Sequence, residues 1–98
     1  MEKCVPHIKL SLIHALVQAG KVRTTRAARE GAAQLDLDQQ QMLAVVMALS
    51  KSNFYKSMTT HHDHTVWQDV YHASASMKDV YLKLTVLDDV LIVSFKEL

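Results

Sequence analysis

One cysteine, one proline and two glycines are all that 98 residues hold of those types. With Cys4 alone, no intramolecular disulfide can form, which suits a reducing compartment. The chain offers no linker, repeat or low-complexity tract, so a single domain over residues 1–98 is expected. Apolar runs fall far short of the ~20 residues that a membrane helix needs. The start, Met1-Glu2-Lys3-Cys4-Val5-Pro6, has neither the basic opening nor the apolar core of a secretion signal. A cytoplasmic location is expected. The formal net charge of +1 provides no global basic field to draw in nucleic acid. Neither a cysteine pair nor a His-Glu-x-x-His helix is present, and the side chains of His61-His62-Asp63-His64 diverge on a strand or tight loop. No metal or cofactor is expected.

What is present divides the chain in two. Residues 1–50 hold six Lys and Arg against four acids, and residues 51–98 hold five against six. Leu10, Ile13, Leu16 and Val17 form an apolar stripe at helical spacing that follows Pro6 and stops at Gly20. A short extended piece over Lys21 to Arg23 comes next. Thr24 or Thr25 caps a second helix to about Leu35, weakened by Gly31, and Asp38 caps a third that turns Met42, Val45, Val46 and Leu49 inward. Lys21, Arg23, Arg26 and Arg29 make a basic cluster, either a solvated face or a phosphate-contact patch.

After the turn signal Ser50-Lys51-Ser52-Asn53, the chain reads as strands at Phe54 to Thr60, Val66 to His72, Val80 to Leu87 and Val90 to Lys96. Three helices followed by a β-meander predict an α+β two-layer domain. A turn centred on Asp88-Asp89 puts Tyr81 opposite Lys96. One centred on Ser74-Ala75 puts Gln68 opposite Tyr81, and a loop centred on His62 puts Lys56 opposite Gln68. Directly paired residues share a face with Cα atoms about 4.5–5.5 Å apart. Lys56, Gln68, Tyr81 and Lys96 then form one polar row across the sheet. Parity also assigns Leu82, Leu84, Val86, Leu91, Val93 and Phe95 to the core, and Tyr81, Lys83, Thr85, Ile92, Ser94 and Lys96 to the open face.

Several stretches resemble one family closely: Val22-Arg23-Thr24-Thr25-Arg26, Asn53-Phe54-Tyr55-Lys56-Ser57-Met58-Thr59-Thr60, Asp63-His64-Thr65-Val66-Trp67-Gln68-Asp69-Val70-Tyr71, Val80-Tyr81-Leu82-Lys83, and Asp89 through Glu97. They are similar to the motility quorum-sensing regulator (MqsR) toxins, mRNA interferases of the RelE-like superfamily. The resemblance spans the chain and is weakest over residues 27–49 and 72–79. It implies a RelE-like fold, three N-terminal helices on a twisted, mainly antiparallel sheet of four to six strands. It implies metal-independent, ribosome-independent cleavage of single-stranded mRNA at GC-containing, GCU-like triplets. The implied partner is an antitoxin of the MqsA type, with a zinc-binding N-terminal domain and a DNA-binding C-terminal domain. The family's proposed active-site residues fall on Lys56, Gln68, Tyr81 and Lys96. Contacts to RNA are expected from Tyr55, Lys83, Arg23 and Arg26. The stretch His72-Ala73-Ser74-Ala75-Ser76-Met77 departs from the family by lacking basic residues.

Metal-free RNA cleavage sends the 2′-hydroxyl onto the neighbouring phosphorus and leaves a 2′,3′-cyclic phosphate and a 5′-hydroxyl. It requires removing the 2′ proton, stabilising the phosphorane charge and protonating the leaving oxygen. Lys56 is assigned as base or charge stabiliser, Tyr81 as acid or orienting group, Lys96 as phosphate clamp and Gln68 as a phosphate- or base-orienting amide. Two alternatives stay open: acid–base work by His64 or His72, and a non-catalytic domain that binds a partner through a sheet edge or the basic helix face.

Overall fold

The computed structural model describes residues 1–98. Its elements are β1 (Glu2–Lys3), α1 (Leu10–Gln18), β2 (Val22–Thr24), α2 (Arg26–Gln34), α3 (Gln39–Met47), a single 3₁₀ turn (Lys51–Asn53), β3 (Phe54–Thr59), β4 (Trp67–Ala75), β5 (Lys78–Val86) and β6 (Val90–Glu97). The six strands form one sheet in the order β1-β3-β4-β5-β6-β2. No helix is long and apolar enough to cross a membrane.

The expected order of three N-terminal helices followed by a meander is overturned. A strand precedes the first helix, the short extended piece expected over Lys21 to Arg23 is a strand of the sheet at Val22–Thr24, and the sheet is mixed because this β2 runs parallel to β6. Both added strands are edge strands of two and three residues. Segments so short carry no period-2 pattern, and their extended state comes from pairing with β3 and β6.

Local signals place the helices well. Gly20, at φ 77°, takes the left-handed conformation that ends α1. Thr25 rather than Thr24 caps α2, its Oγ1 accepting from the Ala28 amide at 3.1 Å. Asp38 and Gln41 close a reciprocal capping box on α3. Ile13 and Val17 of α1, Ala28 and Ala32 of α2, and Met42 and Val46 of α3 are buried against Tyr71, Ala73, Val80, Leu82, Leu84, Val90, Ile92 and Phe95. The opposite face of the sheet carries no helix.

Two departures from the expected pairing matter for function. The β4–β5 turn falls at Ser76-Met77, two residues beyond the expected centre, and pairs His72 with Tyr81. Both turn residues have positive φ, 51° and 61°, the twist that two-residue hairpins need and that Gly or Asn usually supplies. In β6, Lys83 pairs with Ser94 but Leu84 pairs with Ile92, which leaves Val93 as an extra residue in a bulge. Thr25 holds that bulge, donating from Oγ1 to the Val93 carbonyl at 2.8 Å. Parity therefore reverses, so Val90 and Ile92 are in the core and Leu91 and Val93 are not. The expected core assignment of Leu91 and Val93, and the open-face assignment of Ile92, are corrected.

Tyr71 is 1% exposed, packs edge-on against Phe54, and has no hydrogen-bond partner for its hydroxyl. Burial, followed by the nearby Asp69 carboxylate, pushes its phenol up to about 12. An orphaned buried hydroxyl costs about 1–3 kcal/mol. Tyr71→Phe will therefore leave the urea midpoint unchanged or raise it; a drop would reveal a bonded hydroxyl.

Candidate active site on the open sheet face

Side chains alternate across each strand, so with Tyr71 and Ala73 packed on the helices, Gln68, Val70, His72 and Ser74 of β4 point to the open side. On β5 the same argument puts Asp79, Tyr81 and Lys83 there, since Val80, Leu82 and Leu84 are buried. Lys56 pairs with Val70, and Lys96 with Tyr81. The four sequence-predicted catalytic residues thus share one face. They do not share one row.

The row that forms is His72, Tyr81, Lys96, flanked by Tyr55. A register shift between Phe54 and Lys56 leaves Tyr55 without a direct partner and lets its ring stack on His72, centroids 4.3 Å apart and planes 20° apart. His72 meets the Tyr81 ring at 6.2 Å, and Lys96 Nζ lies 5.3 Å from the centre of that ring. Lys56 Nζ lies 5.6 Å from the Tyr55 ring. Two ammonium groups therefore bracket a ladder of three rings. Tyr55 is 54% exposed, free to take a nucleobase on its outer side.

The next row is Lys56, Val70, Lys83, Ser94. Gln68 pairs with Met58, one row further still. It lies four residues along β4 from His72, roughly 13 Å at the usual rise of a strand. The expected pairing of Gln68 with both Tyr81 and Lys56 is thereby corrected. The cause is the displaced turn at Ser76-Met77 and a β3–β4 loop whose centre lies near Asp63, where Thr60 and Thr65 hydrogen-bond Asp63.

Electrostatics separates the lysines. Lys56 Nζ donates to Glu2 Oε2 at 2.8 Å, and this hydrogen bond raises the Lys56 ammonium above its ordinary range. That partner favours the charged form of Lys56. Lys83 behaves oppositely: burial, then repulsion from Lys96, lowers it. Arg23 and Arg26 are committed elsewhere. Arg23 bridges Asp89 at 2.6 and 3.0 Å from β2, level with Leu91 at the far end of β6 from Lys96, and Arg26 pairs with Glu30 at 2.9 Å on α2. Arg29 donates to Thr24. The basic cluster is thus stitched into the α2 end of the molecule and does not join the ring ladder.

The ladder gives a cationic, ring-paved surface, an arrangement suited to holding single-stranded RNA by stacking and by phosphate contact. The model of the family described as "Motility quorum-sensing regulator, toxin of MqsA" matches residues 5–97. A protein of Escherichia coli (strain K12) named "mRNA interferase toxin MqsR" is 58% identical over 97 residues, covering 99% of each chain. The chain belongs to the family of motility quorum-sensing regulator toxins.

Proposed function

We propose that this chain is a toxin endoribonuclease that cleaves single-stranded mRNA in the cytoplasm and is held in check by an MqsA-type antitoxin with a zinc-binding N-terminal domain. The observation that carries the reading is the ladder of Tyr55, His72 and Tyr81 between the ammonium groups of Lys56 and Lys96. The name of the E. coli relative supports it. Bases stack on the rings, which sets one phosphate between Tyr81 and Lys96. Lys96, Lys83 and Lys56 offset the charge that grows on the phosphorane. Tyr81 donates to the departing 5′-oxygen or orients the phosphate. Gln68, about two rows from this point, contacts a flanking nucleotide and bears on the preference for GC-containing, GCU-like triplets.

On this reading cleavage persists in excess EDTA and leaves 2′,3′-cyclic phosphate ends. Incubation of a defined RNA with the purified protein, followed by mapping of the fragment termini, tests it. Intact RNA favours a partner-binding domain instead. Losing one preorganised charge-stabilising donor costs about 10²–10³ in rate. The Lys56→Ala, Lys96→Ala double variant will therefore cleave at least ~10²-fold more slowly than wild type. Full activity in that double variant ends the reading. Gln68→Ala will alter the choice of triplet more than the rate.

A further inference from the structure

The reaction just described needs a proton acceptor, and the one open-face lysine that is lowered, Lys83, lies a row away from the ladder, between Val70 and Ser94. Ammonium groups donate and have no lone pair. Glu2 favours the charged form of Lys56. Phenols are protonated at neutral pH, and a carboxamide is not a base. Gln68 is in any case two rows away. The remaining group in the ladder is an imidazole, the side chain whose unperturbed titration lies nearest neutrality.

Resting on the ribonuclease reading, we infer that His72 is the general base that takes the 2′ proton. Its position follows from the hairpin. Because the turn falls at Ser76-Met77, His72 is the direct cross-strand neighbour of Tyr81, in the row that ends at Lys96. Tyr55 stacks on one side of its ring at 4.3 Å and fixes the plane. The backbone beneath is fixed too, Asn53 Nδ2 donating to the His72 carbonyl at 3.0 Å. No side chain of the protein engages the ring nitrogens. The imidazole is half-buried, so part of the residue stays accessible beside the ladder. The groups that face it are Tyr55 and Lys56 from β3, with Glu2 of β1 behind Lys56, then Tyr81 and Lys83 from β5 and Lys96 from β6. Asp79, on the same face one row nearer the turn and paired with Ser74, is an alternative acceptor.

The step balances within the chain and its RNA. Neutral imidazole accepts the 2′ proton as the 2′-oxygen bonds to phosphorus. The bond from phosphorus to the 5′-oxygen breaks, and that oxygen takes the Tyr81 proton. Imidazolium and phenolate then exchange with water to restore the starting forms. The stretch over residues 72–77, which departs from the family by lacking basic residues, thus sets an imidazole beside Tyr81.

The test is a pH–rate profile on a defined single-stranded RNA for wild type, His72→Gln and Asp79→Asn. Wild type and Asp79→Asn will show an acid limb on which rate rises tenfold per pH unit before levelling. His72→Gln will lose that limb and fall by about 10²-fold on the plateau, the lower end of what a tuned general base contributes. It will bind an uncleavable RNA carrying a 2′-deoxy scissile nucleotide as tightly as wild type does. Imidazole added to His72→Gly will restore part of the rate. A His72→Gln variant that keeps both the limb and the plateau overturns the inference and leaves the ribonuclease reading intact. Loss of the limb in Asp79→Asn instead assigns the proton to that carboxylate and overturns it as well. A wild-type protein that leaves RNA whole overturns both readings.

Discussion

Gly31→Ala will destabilise the protein by about 3 kcal/mol or more, the range of severe overpacking. Helix propensity alone predicts the reverse, since alanine is favoured over glycine by about 1 kcal/mol in a helix interior. Contact geometry decides the sign. A Cβ built on Gly31 would lie 1.8 Å from the Phe95 carbonyl oxygen, 3.0 Å from its carbon and 3.4 Å from the Lys96 Cα. All three atoms belong to the backbone of β6, so no rotamer change relieves the clash. The helix must lift off the strand instead, unpacking Ala28 and Ala32. Domains of this kind have only ~5–15 kcal/mol of total stability, and the loss will show as a large drop in the urea midpoint. Because Lys96 is one of the three contacts, RNA cleavage in whatever fraction still folds should fall as well. A Gly31→Ala variant as stable as wild type would mean that α2 does not sit this close to β6.

The same glycine shows what single-residue reasoning reaches. In the sequence Gly31 reads as a weak point in a helix; in the fold it is what allows α2 to lie on β6 at all. Caps and breaks at Gly20, Thr25 and Asp38 were readable because each acts within a few residues of itself. The pairing of Tyr81 with Lys96 came out as expected through two offsetting shifts. The turn-side pairs, from Val86 with Val90 to Leu84 with Ile92, centre on Asp88 rather than on Asp88-Asp89, and the bulge at Val93 adds back the one residue that returns Tyr81 to Lys96. The rest depends on atoms far apart in the chain. The bulge at Val93 answers to the Thr25 side chain, and nothing in the alternating run from Val90 to Lys96 announces it. Ser76 and Met77 adopt left-handed φ without the residues that normally mark it. That shift of two residues moved His72 into the place beside Tyr81 where Gln68 was expected. Face assignments survive such an even shift, and row assignments do not. This is why all four expected catalytic residues lie on the open side although their neighbours differ. His72 had a signal in the sequence, a lone imidazole at the end of a strand, but its value appears only once the register is known.

Asp69→Ala will cost about 3 kcal/mol or more, because a buried carboxylate bonded to several donors leaves each of them unpaired when it is removed. Asp69 is 2% exposed and faces the helix side of β4, opposite Ser57 and Leu84. Its two oxygens accept the His7 amide at 3.1 Å each, the Ile8 amide at 3.1 Å and the Ser57 hydroxyl. That carboxylate is what ties the segment between β1 and α1 to the sheet. His7 then lies flat on Trp67 with centroids 5.6 Å apart, and Lys3 Nζ sits 4.1 Å above the same ring. Without Asp69 the tie is lost, and β1 is left with its two pairs to Met58 and Ser57. Glu2 rides on β1, so its hold on Lys56 should loosen at the same time. Two measurements check this. Urea denaturation will show the lost stability, and hydrogen exchange at the His7 and Ile8 amides will accelerate well beyond the change in global stability. Asp69→Asn, which keeps one acceptor oxygen, will fall between wild type and Asp69→Ala on both. Unchanged exchange at His7 and Ile8 in Asp69→Ala would mean that the segment is held by Trp67 stacking and strand pairing alone.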